Sequence, residues 1–275
     1  MTRISLAHSP DADDAFMFFA LAKNLIDTGD FEFVHTLKDI QSLNLEARDE
    51  CYDVTAISWA AYPEIADRYA ILSSGASIGD GYGPLVVSRE PIDPSRLSDY
   101  TVAIPGLNTS AFVALKLFSP SVETITMPFD EIQEAVADGS VPAGLLIHEG
   151  QLTFRDDGLR KIIDLGAWWK ETTTLPLPLG GNVIRRALGD ELMREISRVL
   201  RESIEYSLSH RNEALDYAMQ YGRKLDKERA DRFVGMYVNE LTVDYGDRGR
   251  LAVRTFLDRA GDAGLVGRIA SYDFY

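Results

Sequence analysis

The stretch Val141-Pro-Ala-Gly-Leu-Leu-Ile-His-Glu-Gly150 joins a short apolar run to an ionisable pair. A run of this length between Pro142 and Gly150 predicts a buried strand from Ala143 to Ile147. Such strands are typical of parallel sheets covered by helices, which bind ligands outside the carboxyl ends of their strands. His148 is therefore a candidate catalytic group, because imidazole exchanges protons near neutral pH. A histidine that only caps the strand through backbone hydrogen bonds is the alternative.

Similar short apolar runs occur elsewhere in the chain, and most of them alternate with helical patterns. The predicted strands are Ile4 to Ala7, Phe31 to Leu37, Tyr52 to Ile57, Leu85 to Ser88, Thr101 to Ile104, Thr124 to Met127 and Ile162 to Leu165. Helices are predicted over Asp13 to Leu25, Ile40 to Arg48, from near Pro63 through Tyr69, from about Ser110, and over Asp130 to Ala137. This alternation is typical of an α/β fold with a mainly parallel sheet covered on both faces.

Two breaks in the pattern indicate two lobes. A second strand–helix series begins after Pro91-Ile-Asp-Pro94, and Leu175-Pro-Leu-Pro-Leu-Gly-Gly181 excludes a helix and predicts a crossing back. From Asp190 onward the pattern is helical, at about 190 to 208, 211 to 221, 226 to 239 and 247 to 263. We therefore expect a discontinuous first lobe of residues 1–92 and 184–275, which includes the C-terminal helices, and a second lobe of residues 93–183.

The glycine-rich stretch Ser74-Gly-Ala-Ser-Ile-Gly-Asp-Gly-Tyr-Gly-Pro84 precedes a predicted strand. A dinucleotide-binding loop follows a strand and opens a helix, so this stretch does not fit one. A flexible connection or close backbone packing is the expected role.

Composition limits the partners and the location. Acidic residues outnumber basic residues by 43 to 28, and the net charge of −15 would repel nucleic acid. The single Cys51 has no partner for a disulfide or a structural zinc site. We find no signal-peptide core near Met1 and no apolar run long enough to span a bilayer. We therefore expect a cytoplasmic protein that binds neither membrane nor nucleic acid. The sequence does not decide whether the protein forms a homodimer.

Hydroxyl side chains follow several predicted strands. Ser9 follows the first strand, Ser58 follows the third, and Thr109 and Ser110 follow Pro105-Gly-Leu-Asn108. A helix that begins at this last position points its free backbone N–H groups and the positive end of its dipole toward the crevice, which predicts an anion site. Ordinary helix capping is the alternative.

Other candidates are weaker. Asp11, Asp13 and Asp14 could bind a hard metal ion, but they lack the spacing of a calcium loop and two of them suit a helix N-terminus, so we expect no metal. The Trp168-Trp169 pair is expected to pack at the lobe junction rather than to form a wall for an aromatic ligand. Neither a Gly-x-Ser-x-Gly elbow nor a thiolate at Cys51, which has acidic neighbours, is supported.

Several motifs resemble those of the 1,4-dihydroxy-6-naphthoate synthase family of the futalosine route to menaquinone. The matching stretches are Ser9-Pro10 with Asp14 and Phe16, Thr55-Ala-Ile-Ser-Trp-Ala-Ala-Tyr62, Gly83-Pro-Leu-Val-Val87, Gly144-Leu-Leu-Ile-His-Glu149, Asp164-Leu-Gly-Ala-Trp-Trp169 and Leu175-Pro-Leu-Pro-Leu-Gly180. The resemblance implies a two-lobed fold like that of type 2 periplasmic binding proteins, with the active site in the crevice between the lobes. It also implies a carbon–carbon lyase that converts cyclic dehypoxanthine futalosine to the dihydroxynaphthoate and a three-carbon fragment without a cofactor.

The resemblance also implies roles for individual residues. The family's proton acceptor corresponds to His148, and its contacts with the small carboxylate substrate correspond to positions around Ala56, Ile57 and Ser58 and around Ser110 and Ala111. Glu149 is one candidate to orient the imidazole, although adjacent side chains of a strand point apart.

One stretch departs from the family pattern. Members often carry Ser-Pro-Cys-Pro-Asn-Asp-Thr-Phe, whereas this chain has Ser9-Pro-Asp-Ala-Asp-Asp-Ala-Phe16, so Asp13 replaces an amide and Ala15 a hydroxyl. An added negative charge near a carboxylate substrate is costly unless it is paired or points away. The contacts between the first lobe and the substrate, and even the substrate itself, can therefore differ from those of the family.

Two alternative functions share this fold. A solute-binding protein for a small carboxylate would use the same crevice, but it would normally carry a signal peptide or lipid anchor. Chorismate dehydratase of the same pathway is the second alternative, and the Leu145-Leu-Ile-His-Glu149 match disfavours it.

Overall fold

The computed structural model describes residues 1–221 and 225–275. Within these ranges the strands are β1 (Thr2–His8), β2 (Phe31–Leu37), β3 (Val54–Ser58), β4 (Tyr69–Ile71), β5 (Ser77–Gly79), β6 (Leu85–Ser88), β7 (Thr101–Ile104), β8 (Glu123–Thr126), β9 (Ala143–Leu146), β10 (Arg160–Asp164) and β11 (Leu177–Arg185). The α-helices are α1 (Ala12–Met17), α2 (Phe19–Ala22), α3 (Ile40–Glu46), α4 (Ser110–Phe118), α5 (Ile132–Asp138), α6 (Gly150–Thr153), α7 (Leu165–Thr173), α8 (Asp190–Ser209), α9 (Arg211–Ala218), α10 (Lys227–Tyr237), α11 (Glu240–Val243) and α12 (Gly246–Asp262). None of these helices is long and apolar enough to cross a membrane.

The strands form two sheets. The first has the order β2-β1-β3-β11-β4, with β5 also paired to β11, and the second has the order β10-β6-β9-β7-β8. In the first sheet β1 is parallel to β2 and β3, whereas β11 runs antiparallel to β3. In the second sheet β7 is parallel to β8 and β9, and β6 is antiparallel to β9. Each sheet is therefore mixed, with a parallel part whose carboxyl ends share one edge.

Both observed lobe boundaries differ from the expected ones, because β6 and β11 each belong to the other sheet. Leu85–Ser88, expected in the first lobe, pairs in the second sheet, and Leu177–Arg185, expected in the second lobe up to residue 183, pairs in the first. The apolar β6 pairs with the buried β9, so both belong to the second lobe. The stretch Pro91-Ile-Asp-Pro94 is therefore a turn within that lobe, and a 3₁₀ helix begins at Pro94. Residues 222–224, within the expected segment 184–275, lie outside the described residues.

The C-terminal helices cover the first sheet. Helix α8 buries Ile196, Val199 and Leu200, whose spacing of three and four residues gives the helix one apolar face. This face shares a core with Ile4 and Leu6 of β1 and with residues of α1 and α10. The observed C-terminal helices begin and end close to their predicted positions. They pack on the sheet formed mainly by the first part of the chain.

Some local predictions were wrong. The helix predicted over Asp13 to Leu25 is divided at Phe18 into α1 and α2, because Phe18 has φ −97° and ψ 9°. No α-helix runs from Pro63 through Tyr69: Pro63 lies in a 3₁₀ helix, and Tyr69 begins β4, which pairs with β11. Sequence patterns also missed β5, α6 and α11, which have only three or four residues, and the nine-residue α7.

The first crossing between the lobes, at Gly83, packs closely against Gly166 at the start of α7. A side chain at Gly83 would come within 3.0 Å of the Gly166 amide nitrogen, and one at Gly166 would overlap the Tyr82 carbonyl. Close backbone packing, one of the two roles expected of the glycine-rich stretch, is confirmed. Beside this crossing, the fully buried Trp169 packs edge-on against Phe256, which confirms the core role predicted for the tryptophan pair.

Candidate active site

A crevice with about 750 Å³ of free space lies between the two lobes. It is lined by every residue that the sequence placed in the site: Ser9, Ala56, Ile57, Ser58, Thr109, Ser110, Ala111 and His148. The volume is typical of pockets that bind small organic ligands. Strand ends from both sheets therefore converge on one cavity.

His148 lies just beyond β9, as predicted, although the strand ends at Leu146. Its backbone adopts φ +50°, a left-handed conformation that is uncommon for residues other than glycine. The imidazole Nδ1 lies 3.1 Å from Asp11 Oδ2, and the Phe129 ring approaches it at a centroid distance of 5.0 Å. The side chain is 19% exposed, so the imidazole is held among other groups yet reaches the crevice.

The N-terminus of α4 presents backbone donors to the crevice. Thr109 caps the helix, because its Oγ1 accepts a hydrogen bond from the Phe112 N–H at 3.2 Å. Among the described residues, no acceptor pairs with the N–H groups of Ser110 and Ala111. These donors lie at the positive end of a nine-residue helix. The helix start supports both capping and anion binding, which are compatible at this position.

Contacts across the crevice hold the two lobes together. The Ser110 Oγ accepts a hydrogen bond from the Ala60 N–H at 3.3 Å. The fully buried Asn44 donates to the Asn108 carbonyl at 3.1 Å and accepts from the Ser58 N–H at 2.8 Å. Sequence reasoning missed Asn44, since a polar residue within a helical pattern is expected to face solvent.

Carboxyl groups dominate the first-lobe wall. Asp11, Asp13 and Asp14 are each at least about 90% buried and line the crevice beside Ser9. The Ser9 N–H donates to Asp14 Oδ2 at 2.7 Å, and the Ser77 hydroxyl donates to Asp13 Oδ2 at 3.2 Å. Asp13 therefore faces the crevice. No Lys or Arg is among the described residues that line it.

Burial changes the ionisation of these acids. Burial raises the pKa of Asp13, and the nearby Asp11 carboxylate raises it further. Burial raises the pKa of Asp14 well above its ordinary value, and repulsion from Asp13 and Asp11 adds to this effect. A protonated carboxyl carries no charge and donates a hydrogen bond. The first-lobe wall therefore repels an anionic ligand less strongly than its number of acidic residues suggests.

Two further residues of the site come from the C-terminal part of the chain. Phe233 and Tyr237 of α10 line the crevice, and the Tyr237 hydroxyl donates to Gln151 Oε1 at 2.7 Å. Gln151 belongs to the second lobe, so this bond also joins the lobes. The sequence offered no signal for these residues, because their helix is far from the other site residues in the chain.

Glu149 lies in a different environment from the crevice. It is 6% exposed, its pKa is raised by burial, and it lines a separate polar cavity beyond His148 with Asp130 and Gln133. The carboxylate that lies 3.1 Å from the imidazole Nδ1 in the crevice is that of Asp11. No three described His, Cys, Asp or Glu residues are grouped so that they could hold a metal ion.

The fold and the site together define a two-lobed α/β protein whose ligand crevice contains one histidine and one open helix N-terminus. The family described as "Menaquinone biosynthesis" matches residues 4–262. A curated relative from Thermus thermophilus, 1,4-dihydroxy-6-naphtoate synthase, is 38% identical over 97% of both chains. The solved structure of protein AF1704 from Archaeoglobus fulgidus is 47% identical, with a TM-score of 0.92 over 96% of this chain and 98% of that one.

A more distant structure defines the fold. The Candida albicans CA3427 gene product, described as having the generic periplasmic binding protein structural fold, superposes with a TM-score of 0.72 at 11% identity, over 98% of this chain and 92% of that one. The chain belongs to the menaquinone biosynthesis family. The predicted family, two-lobed fold and enzymatic role in menaquinone biosynthesis are therefore confirmed.

Proposed function

We propose that this enzyme converts cyclic dehypoxanthine futalosine to 1,4-dihydroxy-6-naphthoate by carbon–carbon bond cleavage, with His148 as general base. The observation that carries the proposal is the position of His148 in the crevice, opposite hydroxyl and backbone groups of the other lobe. The relative from Thermus thermophilus supports the reaction, since its name is that of the synthase.

The substrate carboxylate binds at the N-terminus of α4. Ser110 and Ala111 line the crevice in the first turn of α4, where free backbone N–H groups and the helix dipole attract an anion. Ser9 and the segment Ala56 to Ser58 face the substrate from the first lobe. This arrangement binds an anion locally within an acidic protein.

The chemistry requires a base and a place for developing negative charge. Cleavage beside a carbonyl or hydroxyl begins with proton removal, and aromatisation of the product supplies driving force. His148 takes the proton, while donors in the enclosed crevice stabilise the charge that develops. No cofactor takes part in the proposed step.

The test is incubation of purified protein with cyclic dehypoxanthine futalosine, followed by mass spectrometry for the naphthoate. His148→Asn keeps a hydrogen-bonding side chain but removes the base, so we expect turnover to fall at least ~100-fold while product binding persists. His210→Asn, at an exposed histidine, is the control and should turn over normally. Near-normal turnover of His148→Asn would remove the catalytic assignment.

The similarity of fold to periplasmic binding proteins supports one other function, the binding of a small carboxylate without turnover. Tight binding of the substrate with no product would favour it. Conversion of chorismate in a parallel incubation would instead indicate the dehydratase. We also infer a cytoplasmic location, which cell fractionation tests, and light scattering of the purified protein decides between a monomer and a homodimer.

A further inference from the structure

Asp11 and His148 belong to opposite lobes. Asp11 follows β1 of the first sheet, His148 follows β9 of the second, and the Asp11 Oδ2 lies 3.1 Å from the imidazole Nδ1. Asp11 is 1% exposed, so the contact is shielded from water. A buried carboxylate this close to an imidazole nitrogen restricts the orientation of the ring and favours a proton on that nitrogen.

The Asp11 carboxylate is itself held in place. The Ser9 hydroxyl donates to the same Oδ2 that faces His148, while Oδ1 has no hydrogen-bond partner among the described residues. A carboxylate only accepts hydrogen bonds, so a proton shared between these two atoms belongs to Nδ1. A neutral imidazole with its proton on Nδ1 carries its lone pair on Nε2, and in that tautomer Nε2 takes the proton of the substrate.

We propose that Asp11 is the positioning residue of the His148 base, and that the pair forms only when the lobes are closed. The inference rests on the proposed function. In the step, a proton and no other atom moves from a substrate carbon to Nε2, and the electron pair of the broken C–H bond stays on the substrate. The Nδ1 proton remains donated to Asp11, which stabilises the imidazolium and takes no proton.

Other acids near the imidazole do not replace Asp11. Asp13 is hydrogen-bonded to Ser77, and Asp14 accepts the Ser9 N–H. The titratable groups around the pair are Asp13 and Asp14 of α1, Glu149 beside His148, Asp130 of the neighbouring cavity and Tyr237 of α10. The control is Asp30, an exposed carboxylate that is not among the residues lining the crevice.

Dependence on closure follows from the contacts that surround the pair. The bonds from Ala60 to Ser110 and from Tyr237 to Gln151 also join the lobes. Any opening of the crevice that breaks these bonds also separates Asp11 from His148. The base is then correctly oriented only around an enclosed substrate, and an open crevice holds a less competent imidazole.

The first test is the kinetics of Asp11→Asn with the exposed Asp30→Asn as control. We expect kcat of Asp11→Asn to fall about 100-fold with KM within ~3-fold, because the tautomer and orientation are lost while the binding groups remain. The acidic limb of its kcat/KM profile should move to lower pH, because the imidazolium has lost a neighbouring carboxylate. Asp30→Asn should retain kcat within ~2-fold.

The outcomes separate this inference from the proposed function. If the unaltered enzyme forms no naphthoate, the proposed function fails. If His148→Asn is inactive but Asp11→Asn keeps both kcat and the pH profile, only the positioning role is overturned. A loss of kcat in Asp11→Asn with an unshifted pH profile would also overturn it.

A second measurement requires no activity. The unaltered protein labelled with ¹⁵N-histidine should show the Nδ1-protonated tautomer of His148, assigned by the signal missing from His148→Asn. Closure predicts that product sharpens this signal. An Nε2-protonated tautomer in the product complex would overturn the proposal even if Asp11→Asn failed to fold.

Discussion

The two walls of the crevice have opposite electrostatic character. The second-lobe wall presents backbone N–H groups at the start of α4, next to Ser110 and Ala111. The first-lobe wall presents the buried carboxyls of Asp11, Asp13 and Asp14. An anion is attracted to the first of these surfaces and, when the acids ionise, repelled by the second.

This difference indicates how an acidic protein holds an anionic ligand in one orientation. In the proposed binding mode, the carboxylate end of the ligand lies at the helix N-terminus, and its hydroxyl end lies against the carboxyl oxygens of the other wall. A ligand bound in the reverse orientation would place two anions together in a buried space, which costs several kcal/mol. The contrast between the walls therefore contributes specificity as well as affinity.

The largest predicted effect comes from placing a carboxylate on the second-lobe wall, so that both walls repel an anion. Ser110→Asp places a carboxylate at the N–H groups of α4, so repulsion should weaken binding of the naphthoate at least ~100-fold. Isothermal titration calorimetry measures the loss, and Ser110→Asn, of the same size without charge, should lose less than ~10-fold. Binding of Ser110→Asp within tenfold of the unaltered protein would place the carboxylate elsewhere.

The second prediction concerns His8, which supports the acidic wall. Burial lowers the pKa of His8 to about 3, and repulsion from His35 contributes. The unfolded chain, with a pKa of 6.5, binds this proton first as pH falls. The associated stability is present above pH 6.5 and is lost below it, amounting to about 2 kcal/mol at pH 5.

Urea unfolding at pH 7 and pH 5 measures this loss. His8→Asn, whose amide can donate to the Ser9 carbonyl as Nδ1 does at 3.1 Å, should show a smaller decrease between the two pH values. The exposed His210→Asn variant should decrease as much as the unaltered protein. Equal decreases in all three proteins would show that His8 does not govern the acid response.

The second-lobe wall was the more predictable of the two. Ala143 to Ile147 is a short apolar run, and the Thr109-Ser110 pair follows another such run. These runs predicted two strands, and the ends of the strands indicated the positions of His148 and of the start of α4. Local patterns of this kind depend on residues close together in the chain. They also predicted the order of most strands and the helical tail.

The first-lobe wall could not be derived in the same way. Asp13 and Asp14 satisfy the rule for acids at a helix N-terminus, so no sequence pattern placed them in a cavity. Their burial depends on α10 and β11, and the pairing of Asp11 with His148 spans the two lobes. The lobe boundaries failed for a related reason, because strand pairing between β6 and β9 is a long-range property.

The third prediction removes one acid from the first-lobe wall. Because the pKa of Asp13 is raised in the folded protein, its carboxyl loses its proton as pH rises and then opposes an anionic ligand. Asp13→Asn should therefore improve naphthoate affinity ~3- to 10-fold at pH 8, with a smaller gain at pH 5. Titrations at both pH values test this, with the exposed Asp30→Asn as control. A gain of equal size at both pH values would contradict an electrostatic origin.

The smallest predicted effect distinguishes backbone from side chain on the second-lobe wall. Ser110→Ala leaves both N–H groups of α4 in place and removes only a hydroxyl whose structural partner is the Ala60 N–H. Naphthoate binding should then weaken by no more than ~3-fold, because the helix dipole and the backbone donors remain. Thr109→Ala provides the comparison, since loss of the cap should lower the free energy of unfolding by about 1 kcal/mol. A loss of more than ~30-fold in Ser110→Ala would assign the attraction to the hydroxyl, and the contrast between the walls would then rest on side chains alone.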